Sequence, residues 1–213
     1  MKLISSTEWE RLGDEIHVWH AALDRAEPIL NRLRTSLSPD EQIRADRFHF
    51  ARDRDRFVAA RGLLRELLAG YLQQEPVGLK FSYRQYGKPE LSGVNASSEL
   101  SFNLSHSSDL AVYAFARKRT LGIDVEQLRP EAAGDDIARR YFSAREVSDL
   151  GTLLPEARVE GFFHCWTRKE AYLKATGMGL RIPLDSFAVS LVPDQPAAFV
   201  SGFAGVGAGF LLV

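Results

Sequence analysis

At 213 residues with 45% hydrophobic content, the chain is long enough to bury a packed core in one domain or in two small ones. Lys and Arg number 27 against 28 Asp and Glu, a formal charge of −1, so no global field draws it to nucleic acid or to a membrane, and any anion site must be local. A single cysteine, Cys165, excludes an internal disulfide and a cysteine-rich zinc site; with no leader pattern and no apolar run long enough to span a bilayer, the expectation is a soluble cytoplasmic protein.

Residues 15–23 carry branched and aromatic side chains with partial alternation, which predicts a first strand with His17 and His20 as ordinary strand-face residues. Ser38-Pro39-Asp40-Glu41 combines a Ser cap, Pro at the first helical position and Glu three residues after the Ser, and marks a helix start. Residues 44–72 read as two helical segments rich in arginine (Arg44, Arg47, Arg52, Arg54, Arg56, Arg61, Arg65). Two readings stay open for that block: a solvated face of intrahelical ion pairs, or two or three guanidinium groups that reach a phosphate.

Residues 78–83 predict a strand, and Tyr86-Gly87-Lys88-Pro89 a turn that projects Lys88 from a rigid corner. Residues 100–104 predict a short strand that ends in a turn, Ser105-His106-Ser107-Ser108. Neighbouring side chains on an extended chain point to opposite faces, so Ser105 and His106 are poorly placed as nucleophile and base; hydroxyls, an imidazole and backbone N–H groups in a turn suit an anion. Residues 110–116 and 121–126 predict an antiparallel hairpin around residues 117–120. On its second strand Leu121, Ile123 and Val125 share one face while Asp124 and Glu126 share the other. That pair is either a solvent-exposed acidic face or the start of a hard-cation site, since Mg²⁺ needs only one or two protein carboxylates beside water and phosphate.

In the second half, residues 135–142 and 144–154 predict helices, the latter capped by Ser143 with Glu146 three residues on. A central helix occupies residues 162–180, stopped by Gly177 and Gly179, with apolar side chains almost all round and three charges among them: Lys169, Glu170 and Lys174. An i,i+4 Glu-to-Lys pair on a solvated stripe is one reading of these charges; a functional site is the other, because a charge in apolar surroundings is costly unless paired or facing a cavity. Residues 187–192 and 197–203 predict strands. Helices followed by an antiparallel sheet in each half predict an α+β chain of two similar lobes, 1–117 and 118–213.

Four motifs in order, Tyr86-Gly87-Lys88-Pro89, Phe102-Asn103-Leu104-Ser105-His106-Ser107, Gly122-Ile123-Asp124-Val125-Glu126 and Trp166-Thr167-Arg168-Lys169-Glu170-Ala171-Tyr172-Leu173-Lys174, resemble the 4′-phosphopantetheinyl transferases. Their spacing and the chain length resemble the larger, monomeric Sfp-type class, and Arg140-Tyr141-Phe142-Ser143 with Glu146 is similar too. The resemblance covers most of residues 36–192. It implies two pseudo-two-fold related lobes with the active site at their interface, and transfer of the 4′-phosphopantetheine arm of coenzyme A to a serine of an apo acyl or peptidyl carrier protein. It further implies Mg²⁺, or Mn²⁺ in its place, on Asp124, Glu126 and Glu170. Glu170 would be general base and Lys174 the stabiliser of the departing phosphate. Coenzyme A phosphates would meet Lys88, Ser105, His106, Lys169, Arg44 and Arg56, and the carrier would dock around residues 141–154 and the central helix. The Gly-rich stretch 205–209 and the end at Val213 depart from the family pattern of longer alternating strands. An inactive coenzyme A-binding protein is the alternative; it would lack part of the set Asp124, Glu126, Glu170 and Lys174, all of which are present.

Overall fold

The structure, a computed structural model, describes residues 12–13 and 15–202, and the chain divides into two units, Met1–Lys118 and Arg119–Val213. Helices and small antiparallel sheets make up both, an α+β architecture.

In the first unit, β1 (His17–Ala22), β4 (Leu100–Ser107) and β5 (Leu110–Arg117) form an antiparallel sheet in the order β1-β5-β4. The central strand, Leu-Ala-Val-Tyr-Ala-Phe-Ala-Arg, is apolar at consecutive positions because it is covered on both faces; Ala111 to Ala116 are all buried. Among the described residues of this unit, α1 (Glu27–Thr35), α2 (Pro39–Asp46) and α3 (Ala51–Leu72) pack together. Gly62 sets the crossing of α1 and α3, since a Cβ there would lie 2.8 Å from both Cβ and O of Leu33. The core gathers Leu33, Val58, Leu64, Leu68, Phe102 and Phe115.

The predicted start at Ser38 is present, with Ser38 N donating to Glu41 Oε2 at 3.1 Å. That carboxylate does more than cap. Glu41 is 3% exposed and accepts from Arg61 Nε and Arg65 Nε, two guanidinium groups that are themselves buried. Arg65 Nη1 goes on to Pro76 O at 2.7 Å and Leu79 O at 3.1 Å, and Arg61 Nη2 to Tyr83 Oη at 2.7 Å. Neither reading of the arginine block applies to these two residues: they lash α2 and α3 to the hairpin of β2 (Lys80–Tyr83) and β3 (Pro89–Ser92).

In the second unit, α4 (Asp135–Tyr141), α5 (Ala144–Thr152) and the long α6 (Pro155–Thr176) pack with a two-stranded sheet of β6 (Ala188–Val189) and β7 (Phe199–Ser201). The capping box at the start of α5 is closed: Ser143 N donates to Glu146 Oε2 at 2.7 Å, and Glu146 N to Ser143 Oγ at 3.3 Å. Helix α6 ends at Gly177 with φ +66°, a left-handed stop that glycine adopts without strain. Its buried residues include Phe162, Phe163, Cys165, Lys169, Tyr172 and Leu173, in keeping with a helix covered on most sides.

Four local expectations are corrected. Residues 121–126 form no strand and do not pair with residues 110–116; β5 has β1 on one edge and β4 on the other, which leaves no edge for a third partner. Ser105, His106 and Ser107 lie inside β4, in register with Val112, Ala111 and Leu110, and the hairpin turn falls at Ser108 and Asp109 with Ser108 at φ +55°. The central helix begins at Pro155, seven residues before the predicted stretch, and stops at Gly177 as expected. The last two strands are shorter than the alternation predicted, and Phe203, the Gly-rich stretch and the chain's end lie outside the described residues.

Candidate active site

Three neighbouring α6 side chains take three different fates. Lys169 is fully buried. Its Nζ makes an ion pair with Glu146 Oε2 at 2.8 Å and donates to Leu184 O and Phe187 O, both at 2.6 Å. An ammonium has three donors, so all are used. The coenzyme A contact expected of Lys169 is therefore corrected: a fully enclosed lysine with every N–H satisfied is a core pin. It fixes the rotation of α6, with help from Arg168, whose Nη1 donates to Ser190 O at 2.6 Å. Cys165 packs beside this pair; burial and Glu146 push its thiol far above the ordinary range, which rules it out as a nucleophile at neutral pH.

With Lys169 pinned inward, Glu170 and Lys174 emerge on an adjoining, half-buried face of α6. Against it lies the segment that carries Asp124 and Glu126. The contact depends on Gly122: a Cβ there would stand 2.1 Å from Ala171 O, 2.4 Å from Ala175 N and 2.9 Å from Ala175 Cα. No side chain fits, so backbone meets backbone, with small alanines on the helix side. Two residues on, Asp124 is almost enclosed, with 3% of its side chain exposed, and its Oδ1 accepts from Lys174 Nζ at 2.5 Å. Lys174 thus bridges to Asp124 instead of closing only an i,i+4 pair on a solvated stripe.

Electrostatics confirm that the acidic groups are neighbours. Burial raises the pKa of Glu170 first; Asp124 and Glu126 raise it further, and Lys174 opposes them. Within a single unit, Asp124 thus pairs with Lys174, and Glu170 feels both of them together with Glu126. Among the described residues no three or more His, Cys, Asp or Glu side chains stand together so as to hold a metal ion by themselves. The donor set nevertheless fits a hard cation of the Mg²⁺ kind, which takes few protein oxygens and completes its octahedron with water and phosphate.

The first unit carries the other predicted residues. Lys88 ends the β2–β3 turn, where Arg84 N donates to Lys88 O at 2.9 Å and Gly87 has φ +82°. It is half-buried, and burial followed by the nearby Arg84 pushes its pKa down to about 8. Ser105 and His106 are not brought together: Ser105 is buried on one face of β4 and His106 is exposed on the other. Arg56 chelates Asp24 through Nε at 2.6 Å and Nη2 at 2.8 Å, and its Nη1 holds Ser108 O at 3.0 Å, tying α3 to the turn after His106. Arg44 is exposed near the end of α2, its guanidinium 5.1 Å from the Phe57 ring centroid.

Sequence reasoning passed over Gly122 and Glu146. A lone glycine in an apolar run signals close backbone approach, which could have singled out the first. Glu146 was legible as a cap, but nothing in the sequence ties it to Lys169, 23 positions away.

Comparison with known proteins places the chain in a family. Residues 120–205 match the 4′-phosphopantetheinyl transferase superfamily and residues 24–118 the 4′-phosphopantetheinyl transferase N-terminal family. The chain belongs to the 4′-phosphopantetheinyl transferases and is an enzyme of that class. It is 47% identical over 186 residues to the 4′-phosphopantetheinyl transferase HetI of Nostoc sp., covering 87% of this chain and 78% of that protein. It is 33% identical over 163 residues to the 4′-phosphopantetheinyl transferase Sfp of Bacillus subtilis, covering 76% of this chain and 70% of Sfp. A crystal structure of a holo-(acyl-carrier-protein) synthase from Bacillus anthracis in complex with CoA overlaps 47% of this chain and 91% of its own, at 23% identity and a TM-score of 0.37. An overlap that slight carries no structural argument.

Proposed function

We propose that this enzyme transfers the 4′-phosphopantetheine arm of coenzyme A to a serine hydroxyl of an apo acyl or peptidyl carrier protein, acting as a monomer in the cytoplasm. The serine oxygen forms a bond to the phosphorus that bears the pantetheine arm. The bond from that phosphorus to the bridging oxygen breaks, and adenosine 3′,5′-bisphosphate leaves. The observation that carries this reading is the Lys174–Asp124 ion pair made against α6 at Gly122, with Glu170 on the same face of the helix.

Glu170 accepts the serine proton. Burial and the neighbouring Asp124 raise its pKa, which makes it a stronger base than an exposed glutamate. Lys174 neutralises charge on the leaving phosphate. Asp124, Glu126 and Glu170 would hold Mg²⁺ or Mn²⁺, and that cation would supply charge neutralisation at the pyrophosphate. Lys88, Arg44 and the exposed imidazole of His106 are assigned to coenzyme A phosphates. Arg56 serves through its hold on Ser108, and Ser105 from within the sheet.

Intact-protein mass spectrometry of apo carrier proteins incubated with enzyme, coenzyme A and Mg²⁺ tests the reading. One phosphopantetheine mass should be gained, and lost with EDTA or in Glu170→Gln. Unmodified carriers beside enzyme that still binds coenzyme A would favour the inactive binding protein.

A further inference from the structure

The Lys174–Asp124 contact occupies a carboxylate that the proposed function needs for a cation. Asp124 is nearly enclosed, and its Oδ1 already holds an ammonium at 2.5 Å. Lys174 takes only Oδ1, so what it withholds from a cation is charge and not every oxygen, while Gly122 holds the Asp124 segment directly against the backbone of α6 at Ala171 and Ala175. Lys174 stands on that same helix in its last turn. The backbone contact thus keeps the two partners within reach of each other.

We infer that Lys174 is the resident counter-ion of Asp124 in the free enzyme and competes there with the divalent cation, so that the cation is held tightly only once a substrate phosphate draws Lys174 away. The inference rests on the proposed cation site and adds an order of events to it. In the free enzyme the ammonium neutralises Asp124, while Glu170 and Glu126 keep their mutual repulsion. When the pyrophosphate arrives, the ammonium exchanges a carboxylate oxygen for a phosphate oxygen, and Asp124 regains its uncompensated charge at the moment a phosphate stands beside it. The lysine side chain is 31% exposed against 3% for the aspartate, so the lysine is the freer partner to move. A charge-assisted bond of this kind suppresses cation affinity by about ten- to a hundred-fold.

Mn²⁺ binding to the full chain, followed by the electron paramagnetic resonance of free Mn²⁺, tests this without turnover. Lys174→Met should bind Mn²⁺ about tenfold or more tightly than the unmodified enzyme in the absence of coenzyme A. Lys174→Arg, which keeps a counter-ion, should stay at the weak unmodified level, and does so even if the methionine variant fails to fold. In an Asp124→Asn background, Lys174→Met should change nothing further, which separates competition at Asp124 from a general loss of positive charge. Unchanged affinity in Lys174→Met, or an equal gain in the Asp124→Asn background, overturns the inference while the cation site stands. If neither enzyme binds Mn²⁺ beyond the coenzyme A control, with or without coenzyme A, the site itself falls and the inference with it.

Discussion

Replacing Lys169 with methionine separates a core pin from a phosphate contact. The change keeps an unbranched chain, one atom shorter, and removes the ammonium. Glu146, without exposed surface, would lose its cation, and Leu184 O and Phe187 O would lose their donors. Removing one partner of a buried ion pair costs about 3–5 kcal/mol. Glu146 keeps two backbone donors, Ser143 N at 2.7 Å and Val189 N at 2.8 Å, which argues for the lower end, about 3 kcal/mol. With a urea slope of about 1–3 kcal/mol/M for small domains, the unfolding midpoint seen by far-UV circular dichroism should fall by about 1–3 M. Lys169→Met combined with Glu146→Gln should cost less than the sum of the two single changes, because the second removes the charge the first strands. A Lys169→Met enzyme that unfolds at the original urea concentration but requires more coenzyme A would refute this reasoning and return Lys169 to the substrate.

Gly122→Ala should reduce transfer at least tenfold and lower stability by about 1–3 kcal/mol, since a methyl group 2.1 Å from Ala171 O must force the segment off α6; normal kinetics would show that Asp124 does not depend on this contact. Lys88, with its pKa near 8, is an ammonium below that pH and neutral above it. A phosphate that needs the charge should therefore bind well below pH 8, and the KM for coenzyme A should rise as pH climbs through that value, up to about tenfold per unit. Lys88→Arg should flatten the rise, because a guanidinium keeps its proton, and a rise that survives the substitution removes Lys88 from the site. Glu41→Gln should destabilise the first unit by about 3 kcal/mol or more, since it leaves Arg61 and Arg65 buried without their counter-ion; a thermal midpoint within 2 °C of the original would contradict that.

Local chemistry determined much of this protein before any folding was considered. Helix starts at Ser38 and Ser143 follow from side chains three residues apart, and the stop at Gly177 from a backbone that tolerates positive φ. The apolar surround of α6 marked its charges as unusual, and the motif residues Asp124, Glu126, Glu170 and Lys174 were all nameable from their order alone. Tertiary structure decided which charge does what. Lys169, Glu170 and Lys174 are equally conspicuous in the sequence, yet the first turns inward to Glu146, the second faces other carboxylates and the third reaches Asp124, 50 positions away. The strand expected at residues 121–126 failed for the same reason: alternation reports which side chains prefer burial but not whether a sheet edge is open, and β1 and β4 had closed both edges of β5. Pairing between distant residues depends on where the backbone brings them, and no spacing along the chain encodes that distance.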